Sequence, residues 1–254
     1  MKNLFANQLL DTKPSPTNKV DYEELLPYEF EARLAQRPVG YLPLGTLEWH
    51  GVQNALGADF LQCRGLFRRA AQRFGGIVLP PIWLAPDRIT AQAQGVDLVG
   101  MDTAETTTPH RQLTGSLYWI PKGLFLILVE SILAQARRAG FKCIVADGHG
   151  PSRNAWAEMV DQWERQFGMR LVSAKRDFAG KWRTQIDHAG RNETSILMAV
   201  APHLVDLSQL PKDRNQWPQG VGGEDPRDAT SPYGEELIES TLALIGSKLD
   251  ELGV

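Results

Sequence analysis

The chain has 254 residues, 43% of them hydrophobic, enough to bury a sizeable core without disulfides. Its 27 Lys and Arg are scattered and balanced by 30 Asp and Glu, for a formal charge of -3, which removes the usual reason to expect a nucleic-acid partner. Cys63 and Cys143 lie far apart in apolar segments and read as reduced thiols, and neither a secretory pattern nor an apolar run of bilayer length is found, so the expectation is a cytoplasmic protein with no membrane partner.

In chain order, residues 1–20 are polar with Pro14 and Pro16 and read as an N-terminal arm; residues 21–254 read as a single domain. A charged stretch at 21–37 holds a short helix. Residues 40–47 form a buried strand that ends in Glu48-Trp49-His50. Leu61, Phe67, Ala70, Ala71 and Phe74 fall at helical spacing, and Gly75-Gly76 stops that helix. Residues 76–83 are a short apolar strand closed by prolines. No period is evident over 85–110, which reads as a long loop, and loops of that length in compact domains are often functional.

A strand at 117–120 is followed by Pro121, suited to the first turn of a helix that runs to about Ala139 and stops at Gly140. A β-rich run at 141–146 leads directly into Asp147-Gly148-His149-Gly150. Helices are expected at 154–167, 192–200 and 234–252, a strand at 169–174, and a turn-rich loop at 220–232. Strands alternating with helices predict an α/β fold with a mainly parallel sheet flanked by helices.

Five histidines are present, so the company each keeps is informative. Glu48 and His50 are two apart at a predicted strand end, where alternation puts both side chains on one face. Asp59 follows after Gly57-Ala58. His149 lies just past a strand, and ligand sites in open parallel sheets form at the carboxyl ends of strands. His188 and Glu193 sit at a loop-to-helix junction. Each piece alone has a bland reading: a chance Glu-x-His, a turn histidine, or a first-turn carboxylate favoured by the helix dipole. His110 and His203 read as surface or structural. Taken together, the imidazoles and carboxylates suit Zn²⁺ or Mn²⁺, and could hold two ions if one carboxylate bridges.

Four ordered motifs carry a family resemblance. Leu42-Pro43-Leu44-Gly45-Thr46-Leu47-Glu48-Trp49-His50-Gly51 with Leu56-Gly57-Ala58-Asp59 resembles the creatininase signature Pro-x-Gly-Ser-x-Glu-x-His-Gly…Leu-Gly-x-Asp. Gly140-Phe141…Asp147-Gly148-His149-Gly150 is similar to the family's Gly-Phe…Asn-Gly-His-Gly. His188-Ala189-Gly190-Arg191-Asn192-Glu193-Thr194-Ser195 resembles its His-Ala-Gly-x-x-Glu-Thr-Ser, and Thr114-Gly115-Ser116-Leu117 its Gly-Thr-Ile/Val turn. The match runs from about residue 38 to 200.

The resemblance implies a three-layer α/β architecture and a metal-dependent amidohydrolase with two divalent ions, zinc or manganese. Glu48 and His149 would hold one ion, His50 and Glu193 the other, and Asp59 would bridge. His188 would be the general acid, since an imidazole near its reference pKa of about 6.5 can give and take protons. The partner would be a small amide, and the relatives commonly form homo-oligomers such as hexamers.

The departures concern the substrate. Gly150-Pro151 stands where the creatinine-hydrolysing branch has Tyr-Glu, Thr184-Gln185 where it has Trp-Asp, and Val52-Gln53 where Pro-His is usual. These changes argue for a non-peptide cyclic amide or formamide other than creatinine, with Trp49, Trp83, Trp119 or Trp182 available to wall a planar ring or simply to pack in the core. A rival reading is a degenerate relative that binds a metabolite or partner without turnover, supported by the altered stretch after His149. A nucleotide-binding protein is disfavoured, because neither a Gly-x-Gly-x-x-Gly turn nor a Walker-type run is present.

Overall fold

The computed structural model describes residues 18–93 and 95–254, so residues 1–17 of the expected arm lie outside the described residues. Val20 is buried in the core and its carbonyl accepts the Val78 amide at 2.8 Å.

Four strands form a parallel sheet in the order β2-β1-β5-β6: β1 (Val39–Leu44), β2 (Ile77–Val78), β5 (Cys143–Gly148) and β6 (Arg170–Ser173). Every residue of β1 and β5 is buried, as expected for parallel strands covered on both faces. Alternation divides them. Val39, Tyr41, Cys143 and Val145 pack against α2 (Ala58–Phe74), α6 (Arg191–Val200) and α7 (Ser231–Leu252). Leu42, Leu44, Ile144 and Ala146 face α3 (Lys122–Ala139) and α4 (Gly150–Phe167). The result is the helix–sheet–helix sandwich that the sequence predicts. No helix among the described residues is long and apolar enough to cross a membrane.

Several boundaries differ from the sequence reading for local reasons. Of residues 76–83 only Ile77 and Val78 form a continuous strand, because Pro80 and Pro81 have no N–H to donate; Ile82 then rejoins β1 through a single parallel bridge to Leu44. The expected loop at 85–110 contains an antiparallel hairpin, β3 (Ile89–Ala93) with β4 (Val96–Val99), and a 3-10 turn at Gly100–Thr103. Residues 117–120 form no strand, only one bridge between Ala85 and Trp119. Helix α4 starts at Gly150 rather than 154, with Pro151 in the first turn where its missing N–H costs nothing. The short helix α1 (Pro27–Gln36) fills the charged N-terminal stretch. A further short helix, α5 (Ala174–Phe178), was not foreseen.

Candidate metal centre

The site forms where the two central strands end together. β1 and β5 are registered to their last residues, Leu44 opposite Gly148, and the His149 amide donates to the Leu44 carbonyl at 3.0 Å. Gly148 makes this approach possible. It has φ of 143°, and a Cβ there would lie 1.7 Å from the Leu44 oxygen, so only glycine fits. His149 is thereby fixed against the chain leaving β1.

That chain does not continue as a strand. β1 ends at Leu44, and residues 45–50 are irregular, so strand alternation is not what aligns Glu48 and His50. The loop aligns them instead: the Glu48 amide donates to the Leu56 carbonyl at 3.0 Å, and His50 Nδ1 donates to the Glu48 carbonyl at 3.2 Å. Asp59 lies in the first turn of α2 and Glu193 in the first turn of α6, where a carboxylate is favoured by the helix dipole. Asp187 anchors the start of α6, with its carboxylate accepting the Asn192 and Glu193 amides at 2.9 and 3.1 Å.

These elements bring all six expected residues together. His149 Nδ1 is 3.0 Å from Glu48 Oε1 and 3.1 Å from Asp59 Oδ2. His50 Nε2 is 3.4 Å from Asp59 Oδ1 and 3.7 Å from Glu193 Oε2. Asp59 thus turns one oxygen to each histidine–carboxylate pair. A tetrahedral ion with bonds of about 2.0–2.1 Å holds its ligand atoms roughly 3.3–3.4 Å apart, and the four histidine–carboxylate distances, 3.0 to 3.7 Å, bracket that spacing.

The polarity of the cluster also fits cations. With the Nδ1 proton of His50 committed to a carbonyl, its Nε2 lone pair faces two carboxylates and has no hydrogen-bond partner; Glu48 Oε2 is likewise buried and unpartnered. Lone pair against carboxylate is repulsive unless a proton or a metal ion lies between. The acid–base properties point the same way. Burial would depress the His50 imidazole, but the Asp59 and Glu193 carboxylates outweigh it and hold it up at about 10. Burial likewise opposes the charged form of His149, yet Glu48 and Asp59 push its pKa well above the ordinary value. Burial would raise Asp59, but His50 and His149 hold it well below the carboxylate range. Burial lifts Glu193 to about 8, only partly offset by His50. A field that recruits protons this strongly would recruit divalent ions in their place.

His188 stands apart from this pattern. Its Nε2 donates to the Trp49 carbonyl at 2.8 Å, which leaves the Nδ1 lone pair 3.9 Å from Glu48 Oε1. Its ring lies against His50 at 4.5 Å between centroids. Burial and the neighbouring His50 lower its pKa. Glu48, His50 and His188 also come within ligand distance of one another. We assign His50 to the Asp59–Glu193 side, because that is where its free nitrogen points.

A cleft of about 580 Å³ opens over Glu48, Asp59, His149, His188 and Glu193. No Trp, Tyr or Phe lines it among the described residues. Of the four tryptophans considered for a ring-binding wall, Trp49 Nε1 donates to the Gln219 carbonyl, Trp182 Nε1 donates to Asp147, Trp83 packs at a tilt against Phe60, and Trp119 packs beside His149 with ring centroids 5.9 Å apart. Instead Asp87, Arg88, Lys122 and Glu158 contribute charged groups to the cleft.

Two features escaped the sequence reading. The altered stretch after His149 is the first turn of α4, and there Arg153 grips the buried Asp147 with Nε and Nη2 at 2.5 and 3.0 Å. Asp147 stands where the resemblance has Asn, and Arg153 neutralises it: the two departures compensate each other. That weakens the case for a degenerate site. The other missed residue is Asp87, which faces His149 from a segment with no motif.

A family model described as creatinine amidohydrolase matches residues 23–248. The chain is similar to a creatinine amidohydrolase of Pseudomonas putida, 27% identical over 207 residues that span 74% of each protein. Its fold is similar to that of a manganese creatininase, with a TM-score of 0.69, 22% identity, and 92% of this chain and 98% of the other covered. It is also similar to a mutant creatininase of zinc–zinc type, with a TM-score of 0.67, 21% identity and the same coverage.

Proposed function

Because the chain belongs to the creatininase family and is an amidohydrolase of that type, we propose that it hydrolyses a non-peptide C–N bond, in a cyclic amide or formamide, at a two-ion centre. The ligand sets would be Glu48, Asp59 and His149 for one ion and His50, Asp59 and Glu193 for the other. The observation that carries this reading is the division of Asp59, whose two oxygens face two different histidine–carboxylate pairs. Zinc or manganese suits a set of imidazoles and carboxylates, and both metals appear in the names of structurally similar creatininases. Two such ions supply a water of lowered pKa and polarise the substrate carbonyl.

The chain's own residues account for the proton. His188 has its Nε2 proton committed to Trp49, and its lowered pKa leaves Nδ1 unprotonated at neutral pH. It can therefore take a proton from the attacking water and then, as general acid, deliver it to the leaving nitrogen. Water adds across the C–N bond, giving a carboxylate and an amine. The carbonyl carbon must lie within the cleft between Nδ1 of His188 and the Asp59 carboxylate for both transfers to be direct.

Creatinine itself is disfavoured by the departures from its branch at Gly150-Pro151 and Thr184-Gln185, and the cleft is lined by charged groups rather than by aromatic side chains. The proposal includes a cytoplasmic address, in keeping with two buried, unpaired thiols at Cys63 and Cys143, and assembly into a homo-oligomer. A turnover screen of zinc- and manganese-loaded protein against creatinine, other cyclic amides and pyrimidine formamides tests the reading. Turnover of a cyclic amide or formamide, with little on creatinine, is expected. A protein that binds these amides but hydrolyses none, with no stoichiometric metal, would instead be a binding relative.

A further inference from the structure

We propose that Asp87 is a positioning residue for His149: its carboxylate takes the proton on the ring nitrogen that faces away from the ions, and so fixes the imidazole as a ligand. The inference rests on the two-ion reading above. It concerns a residue that none of the four motifs contains and neither ligand set uses.

The geometry is specific. His149 Nδ1 faces Glu48 and Asp59, so a ring that coordinates through Nδ1 carries its proton on Nε2. That nitrogen is buried and has no hydrogen-bond partner among the described residues. The carboxylate that faces it is Asp87, whose Oδ2 lies 3.7 Å away on a side chain only 10% exposed. At that distance the contact is electrostatic, and a shift of roughly 0.5–1 Å brings it into hydrogen-bond range.

The surrounding chain holds Asp87 in this position. Its Oδ1 accepts the Arg88 amide at 2.5 Å, and the Arg88 carbonyl accepts the Gly100 amide at 2.9 Å, closing the base of the β3–β4 hairpin. Gly100 leaves room for the carboxylate. A Cβ there would lie 2.4 Å from Asp87 Oδ2 and 3.4 Å from Glu48 Oε2. The segment at 85–110 therefore serves the site through its hairpin, which delivers one carboxylate to the outer edge of the ligand histidine. A carboxylate in that place orients the ring and raises the basicity of its coordinating nitrogen.

The test uses zinc alone as the probe, with stepwise affinities measured by chelator competition on the full chain. Asp87→Ala is expected to weaken one of the two ions by about 10–100-fold and leave the other unchanged. Asp87→Glu should restore part of that loss, which a merely structural defect would not allow. Gly100→Ala, which keeps Asp87 but displaces its carboxylate, should weaken the same ion. The control is His149→Ala, which should lose that ion outright. Wild-type affinities in Asp87→Ala, alongside loss of an ion in His149→Ala, would overturn this inference alone. Two ions retained in His149→Ala would overturn the two-ion reading, and this inference with it.

Discussion

Asp59→Ala is expected to lose both ions together and to reduce turnover by on the order of 10³–10⁴-fold or more. The reason is that Asp59 spends one oxygen on each side: Oδ1 lies 3.4 Å from His50 Nε2 and Oδ2 lies 3.1 Å from His149 Nδ1. Without it, each ion would keep one imidazole and one carboxylate, too few for a tetrahedral site with three protein ligands. The transition-state stabilisation lost is several kcal/mol, and about 4–6 kcal/mol corresponds to the rate loss given. Glu48→Gln and His149→Ala provide the contrast, since each should remove one ion and spare its neighbour. Metal content of purified variants, by elemental analysis, decides the matter. Loss of only one ion from Asp59→Ala would rule out bridging. A cooperative unfolding transition in each variant shows that the fold itself survives.

His188→Ala should keep both ions and lose about 10²–10⁴-fold in kcat, the range for removing a general acid–base group. Metal retention distinguishes this role from the alternative in which His188 is itself a ligand beside Glu48 and His50. We propose the catalytic role, because His188 is tethered to the Trp49 carbonyl and its free nitrogen lies 3.9 Å from Glu48, farther than any histidine–carboxylate pair within the two ligand sets. The sign of the pH dependence follows from its lowered pKa. The neutral imidazole must accept the first proton, so the rate should fall on the acid side, below the ordinary histidine value of about 6.5. That limb should vanish in the variant. Metal loss from His188→Ala, or unchanged turnover, would remove it from this role.

The candidate ligands were legible because each lies in a motif with a fixed interval, such as Glu48-x-His50 and Glu48 to Asp59. The α/β layering was legible from the order of strand-like and helix-like segments along the chain; within β5, Cys143 and Val145 face one helical layer and Ile144 and Ala146 the other. The convergence of the ligands was expected from the strand-end rule and the resemblance, but the pairing that achieves it was not. Asp59 and His149 meet at 3.1 Å because β1 pairs with β5, a sheet order that local periodicity does not encode. The alternation argument for Glu48 and His50 reached the correct neighbourhood for the wrong reason, since the strand stops at Leu44 and a loop aligns them.

Asp87, the residue proposed to position His149, left no signal. It lies in the segment at 85–110 that showed no clear period and carries no motif, and only the folded chain places it against His149. The tryptophans were left open between a ring-binding wall and core packing, and Trp49 and Trp182 spend their indole N–H groups on a carbonyl and a carboxylate while Trp83 packs against Phe60. The pairing of Arg153 with Asp147 was not read from the sequence; it appears only once the first turn of α4 puts them in contact.

Anomalous scattering from a crystal of the metal-loaded protein, collected at the zinc and manganese edges, bears most directly on the centre. Two peaks about 3.5–4 Å apart are predicted, one beside Glu48 and His149, the other beside His50 and Glu193, with the Asp59 carboxylate between them. A single peak, or ions held by other residues while Asp59 touches none, would contradict the two-ion hydrolase.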